Sequence, residues 1–142
     1  LRVGIEAGLL TRDAQKAVRY LILDDDGAFA ATYMDVLHAQ GVDIARVENP
    51  DDACTLAESG GRMPVLLLSV SSPQAAAVAA AVKKRFPAAP VLAYGRADAP
   101  WRSTELGSLA DAFVVRPPGT SGEAFDVFLR LVQGAVSTLI EV

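Results

Sequence analysis

The sequence predicts a doubly wound α/β domain built on a five-stranded parallel sheet with order 2-1-3-4-5. Three observations point there. Short β-rich apolar runs alternate with longer helical stretches from about Tyr20 onward. One run, Val65-Leu66-Leu67-Leu68, is apolar without a break, which suits a central parallel strand buried on both faces. The 142 residues are 51% hydrophobic, enough for one packed core in one domain.

The elements follow in order. Tyr20-Leu21-Ile22-Leu23 reads as the first strand and stops at Asp24-Asp25-Asp26. Residues 29–40 read as a helix, with Phe29, Tyr33, Leu37 and Met34 on one face. Gly41 terminates it. Residues 43–47 form a weaker strand. Asn49 caps the next helix and Pro50 takes its first position, where a missing N–H costs nothing. That helix ends at Gly60-Gly61. After the third strand, Ser72-Pro73 opens an alanine-rich helix that ends near Phe86. Residues 90–94 and 112–115 are the fourth and fifth strands. The last helix runs from about Ser121 to Leu139. Right-handed crossovers then give a flavodoxin-like sheet whose functional loops gather at the carboxyl ends of the strands. Residues 1–18 precede this pattern as an extension: a leader, an expression remnant or an extra helix. Residues 19–142 form the domain.

Composition excludes several classes. The formal net charge is −4 and the pI about 4.9. Phosphate binding needs clustered Lys and Arg, so direct nucleic-acid binding is not expected. Lys83, Lys84 and Arg85 form one short cluster at a helix end, where cations suit the helix dipole; both lysines read as solvated. No apolar run reaches the length of a membrane span, and no signal-peptide pattern opens the chain. The single Cys54 fits a reducing cytosol, so the expected location is cytoplasmic. It reads as a small packed side chain, since no neighbouring base would activate it. His38, the sole histidine, reads as a helix-surface residue. No Ser-His-acid set, G-x-G-x-x-G or Walker A motif occurs. No catalytic residue, resident metal or cofactor is therefore assigned.

The strand ends carry the remaining signal. Asp24 and Asp25 end the first strand, beside Ser69 at the end of the third. Arg116 ends the fifth and can reach the same crevice. Leu21-Ile22-Leu23-Asp24-Asp25-Asp26, Pro64 through Pro73, and Val114-Val115-Arg116-Pro117 together resemble the receiver domains of bacterial response regulators. The resemblance spans residues 20–136 and implies a CheY-like fold. In that family the paired acids help hold Mg²⁺, and an aspartate stands where Ser69 stands and accepts phosphate. Gly95 falls where the family has a phosphate-sensing Thr or Ser, Phe113 where it often has a switching aromatic, and Arg116 where it has Lys. An acyl phosphate needs a carboxylate, which Ser69 lacks. The resemblance thus implies a degenerate pocket of Asp24, Asp25, Ser69, Gly95 and Arg116, and a regulatory role without enzymatic activity. Arg116 has two readings of equal weight: a fork bound to Asp24 or Asp25 in place of the cation, or an outward-reaching surface residue.

Trp101 reads as a packing anchor before an interface anchor. The last helix carries a broad apolar stripe, Phe125, Phe128, Leu129, Val132, Ala135, Val136, Leu139 and Ile140. Its distal part, with Val136 and Leu139, reads as a pairing surface; the alternative is a plain helix with frayed last residues.

Within the receivers, Leu66 through Ser72, Ala97-Asp98-Ala99-Pro100-Trp101 and Arg116-Pro117-Pro118-Gly119 resemble the amino-terminal domain of FleQ-type flagellar regulators, which are σ54-dependent transcription activators. That resemblance implies a homodimer, a downstream AAA+ ATPase domain as partner, a helix-turn-helix DNA-binding domain, and an anti-activator ATPase as a further partner. It also implies that cyclic di-GMP, sensed through the ATPase domain, is not bound here. The rivals are a stand-alone pseudo-receiver adaptor and a flavodoxin-like cofactor domain. The acidic pair, which repels phosphate, disfavours the second.

Overall fold

A computed structural model of the chain describes residues 18–59, 61–96, 105–117 and 122–139. Five strands, β1 (Val18–Leu23), β2 (Ile44–Arg46), β3 (Met63–Ser69), β4 (Val91–Gly95) and β5 (Ala112–Val115), form one parallel sheet in the order β2-β1-β3-β4-β5. Helices α1 (Gly27–Ala39), α2 (Pro50–Glu58), α3 (Ala75–Arg85), α4 (Glu105–Leu109) and α5 (Gly122–Leu139) alternate with them. This is the predicted doubly wound architecture. β1 begins at Val18, so the predicted extension overlaps the sheet by one residue. The rest of that extension, residues 1–17, lies outside the described residues.

The two faces of the sheet are sorted by the period of two along each strand. Tyr20, Ile22, Val65, Leu67, Leu92 and Tyr94 join Phe29, Tyr33 and Leu37 of α1 and Phe125, Phe128 and Val132 of α5 in one core cluster. Leu21, Leu23, Leu66, Leu68, Val91 and Ala93 join Ala53 of α2 and Ala75, Val78, Ala79 and Val82 of α3 in the other. The first cluster is aromatic: Phe29 stacks on Phe125 at 5.3 Å, and Phe128 lies 5.1 Å from Tyr33 and 5.2 Å from Tyr94. The second is built from alanine, valine and leucine, and its small side chains let α2 and α3 lie close to the strands.

The local signals account for the helix ends. The Asp26 carboxylate caps α1 by accepting from the Phe29 N–H at 3.1 Å. Gly41, just past the end of α1, adopts φ +77°, a left-handed conformation that glycine takes without strain. Asn49 accepts from the Asp52 N–H at 2.8 Å, with Pro50 in the first turn of α2. α3 starts at Ala75, not at Ser72-Pro73. The chain after β3 first makes two turns, Ser72 N–H to Ser69 C=O and Ala75 N–H to Ser72 C=O. The short α4 was not singled out by the pattern, because five residues are too few to display a helical period. Lys83 is not simply solvated: it binds Asp111 at 3.0 Å, and Asp111 also accepts from the Val91 N–H. His38 is exposed and its Nε2 lies 2.9 Å from the Ile44 carbonyl oxygen. Cys54 is half-buried within α2. Among the described residues no helix is long and apolar enough to cross a membrane.

Burial raises the phenol pKa of Tyr20 and Tyr33 above the ordinary 10.0. Below pH 10 both folded and unfolded chains keep these protons, so stability is insensitive to them. Above pH 10 the unfolded chain loses protons that the folded chain retains, and stability falls. Urea midpoints measured from pH 8 to pH 11 should be level to about pH 10 and then decline, with tyrosinate absorbance rising only as the protein unfolds. A gradual rise of that absorbance on the folded protein near pH 10 would contradict the burial.

Candidate functional site

The candidate site is the carboxyl edge of the sheet, where β1, β3, β4 and β5 end. Register sets its geometry. β1 pairs Leu23 with Leu68 of β3, and β3 pairs Ser69 with Tyr94 of β4. Asp24, one residue beyond Leu23, is therefore level with Ser69 and Tyr94. The period of two puts its side chain on the aromatic face, with Tyr20 and Ile22 behind it.

Asp24 is 3% exposed, and its polar atoms are engaged. Oδ1 accepts from the Asp26 N–H at 2.8 Å, and Oδ2 accepts from the Tyr94 hydroxyl at 2.5 Å. Its backbone carbonyl accepts from Arg46 Nη2 at 3.2 Å. A buried carboxylate needs such donors, and a hydrogen bond to an ionised acceptor is of the short, strong kind. The Tyr94 phenol is pushed well above its ordinary pKa. Burial is the largest cause; the Asp24 charge and the hydrogen bond to it add to the shift, and Arg116 opposes it. Tyr94 thus keeps its proton and acts as the donor.

Asp25 and Asp26 are exposed. Asp25 lines a cleft of about 280 Å³ together with Arg46, Glu48, Ser72 and Gln74. The guanidinium of Arg46 also closes over Gly27, where a Cβ would come within 3.2 Å of Nη1. Ser69 is buried, and its hydroxyl shares a 2.8 Å hydrogen bond with the Ser71 hydroxyl and accepts from the Ser71 N–H at 3.3 Å. It is turned into its own loop. Gly95 closes β4, its carbonyl accepting from the Arg116 N–H at 2.7 Å. Phe113 is half-buried on the α2/α3 side of the sheet.

Arg116 corrects one expectation. It does not fork onto Asp24 or Asp25. Its Nη2 lies 3.7 Å from Asp26 Oδ2, and its guanidinium carbon stands 3.5 Å from the centroid of the Phe29 ring. Asp24 already has its donors, whereas Phe29 offers a ring face to a delocalised cation. Val136 corrects another. It is fully buried in the aromatic core and offers no pairing surface, while Leu139 is 38% exposed. Trp101, with Ala97 through Pro100, lies outside the described residues, as do Pro118, Gly119 and Ile140.

Sequence reasoning missed Tyr94 and Arg46. A signal for Tyr94 was present: a tyrosine on the buried face at a strand's carboxyl end must find a partner for its hydroxyl, and the nearest strand ends offer an acid.

The Mg²⁺ that the receiver resemblance implies does not fit this arrangement. Mg²⁺ takes oxygen ligands, commonly one or two carboxylates beside phosphate. Here Asp24 is occupied by two donors, Ser69 brings no charge, and a guanidinium already stands near Asp26. Among the described residues no group of three or more His, Cys, Asp or Glu side chains is placed to hold a metal.

No family model and no curated protein matches the chain. Solved structures do. NtrX from Brucella abortus, in complex with ATP, is 18% identical with a TM-score of 0.66 over 87% of this chain and 28% of that one. The chemotaxis response regulator CheY4 of Vibrio cholerae is 18% identical, with a TM-score of 0.60 over 80% of this chain and 96% of that one. The response regulator TrrA, solved in complex with the histidine kinase ThkA, is 22% identical, with a TM-score of 0.61 over 87% of this chain and 98% of that one. At these identities the likeness establishes the fold, which is CheY-like. The chain spans little more than a quarter of the NtrX chain it matches.

Removing the Tyr94 hydroxyl leaves the buried Asp24 carboxylate one donor short. Tyr94→Phe is expected to cost about 1–3 kcal/mol. Urea unfolding of the wild type, Tyr94→Phe, Asp24→Asn and the double variant forms a cycle in which the two losses should overlap. Additivity to within about 0.5 kcal/mol would mean that the bond contributes nothing to stability.

Proposed function

We propose that this chain is a regulatory receiver-like domain that works without aspartyl phosphorylation, pairing with a second copy of itself and acting on a downstream AAA+ ATPase domain of a bacterial σ54-dependent activator of flagellar genes. The observation that carries the reading is the chemistry of one position. Ser69 ends β3 level with Asp24, where the resembled family carries its accepting aspartate. A hydroxyl cannot form the mixed anhydride of an acyl phosphate. Gly95 supplies no hydroxyl to follow a phosphate, which removes a second step of the usual relay.

The flagellar assignment rests on the FleQ-like loop motifs, of which Leu66 through Ser72 and Arg116-Pro117 are among the described residues. Match to only 28% of the NtrX chain is consistent with one domain of a longer protein. Pairing is supported by α5, where Val127 and Leu131, four residues apart, are 43% and 46% exposed. The half-buried Ala135 and then Leu139 continue the same four-residue spacing. Such a row suits a second copy of the same helix. Rearranging the pair would bias which ATPase oligomer forms. A second reading, a stand-alone adaptor, is favoured by the near-complete coverage of the CheY4 and TrrA chains.

Two measurements test the proposal. Acetyl phosphate with Mg²⁺ should leave the intact mass unchanged; gain of one phosphoryl group would end the phosphorylation-independent reading. Sedimentation should reveal self-association that weakens at least about tenfold, the effect of roughly 1.4 kcal/mol, in Leu131→Arg or Leu139→Arg. If both charged variants pair as tightly as the wild type, the α5 row is not the interface.

A further inference from the structure

The register places Tyr94 and Asp24 on opposite sides of β3, two strand spacings apart, or about 10 Å between backbones. Their side chains nevertheless meet at 2.5 Å. The phenol must therefore lie across β3, over the backbone of Ser69. Two rings of the aromatic core pack against it, Phe128 at 5.2 Å and Phe29 at 6.1 Å, and these two lie 5.7 Å from one another on the same side of Tyr94. The Arg116 guanidinium stands 3.5 Å over the Phe29 ring.

We propose that Tyr94 is a built-in plug: its ring fills the space above position 69, and its hydroxyl takes the carboxylate oxygen of Asp24 that a cation would otherwise claim. The proposal rests on the phosphorylation-independent reading and adds a second, separate cause for it. Loss of the accepting carboxylate is one barrier; occupation of the site by Tyr94 is another. A switch needs two arrangements of comparable free energy. A ring packed against two aromatics and bonded to a buried carboxylate favours a single arrangement of the edge. Input to this domain then enters through its helical faces and not through the strand ends.

The two barriers can be separated by restoring the first. In Ser69→Asp the new carboxylate oxygen can attack the phosphorus of acetyl phosphate, forming one O–P bond as the P–O bond to acetate breaks and acetate leaves. With Tyr94 in place, labelling of Ser69→Asp should be at least about tenfold slower than in Ser69→Asp with Tyr94→Val. That factor corresponds to about 1.4 kcal/mol of added barrier. Ser69→Asp with Tyr94→Phe should stay slow, because the ring remains. Equal labelling of Ser69→Asp and the Val double variant would overturn the proposal. So would rapid labelling of the Phe variant, or a Val variant that is folded by circular dichroism and yet takes no phosphoryl group. The wild type gives a readout that needs no variant. Mg²⁺ up to tens of millimolar should leave the amide resonances of Asp24, Asp26 and Ser69 unmoved, and a saturable shift centred on them would refute the plug. Such a shift would not touch the parent reading, which fails only if the wild type itself gains a phosphoryl group.

Discussion

The hydrogen bond from Tyr94 to Asp24 is the constraint on which the carboxyl edge depends. It joins the ends of β4 and β1 over the top of β3, so three strands are tied by one contact between side chains 70 residues apart. Each partner would be costly alone. Asp24 is 3% exposed and Tyr94 1% exposed, and an unpaired carboxylate or phenol at that depth would destabilise the domain. Together they satisfy one another. The Asp26 N–H fills the second oxygen of Asp24 and at the same time sets up Asp26 as the cap of α1. The first turn of α1 is thereby coupled to the same point.

Charge at this edge is balanced locally. Arg46 binds the Asp24 carbonyl from the β2 side, and Arg116 approaches Asp26 from the β5 side while resting on Phe29. Two guanidinium groups thus flank three consecutive acids. Arg46 closes one edge strand and Arg116 follows the other, where the side chain can reach inward over the sheet while keeping contact with water. Arg116 thus offsets part of the charge of Asp26, whereas Arg46 engages only the backbone of Asp24.

The two faces of the sheet divide the labour. The α2/α3 face is close-packed from small aliphatic residues and carries few polar groups. The α1/α5 face holds the aromatic cluster, and with it the buried hydroxyls of Tyr20, Tyr33 and Tyr94. Among the described residues only the last of these has a hydrogen-bond partner. The same face presents α5, whose outer row of Val127 and Leu131 is apolar although exposed. The helix that packs on Tyr94 through Phe128 is thus the helix that carries this exposed row.

Much of the fold was legible in the chain. Local chemistry determined the strands and most helix ends: unbroken apolar runs such as Leu66-Leu67-Leu68, the caps Asp26 and Asn49, and Gly41 at a left-handed position. Periodicity and alternation then left one reasonable sheet order. That position 69 carries a hydroxyl and no carboxylate was equally visible, because it depends on residue identity alone. The tertiary structure decided the rest. Tyr94 read only as a strand residue, since nothing local says that its hydroxyl crosses β3 to Asp24. Arg116 stood open between an acid and the solvent and lies by Asp26 over the Phe29 ring, while Val136 was read onto the wrong side of its helix. The physical reason is common to all three. Which polar groups pair, and which helix face is covered, depends on contacts between residues far apart in the chain, and those are fixed only when register and packing are.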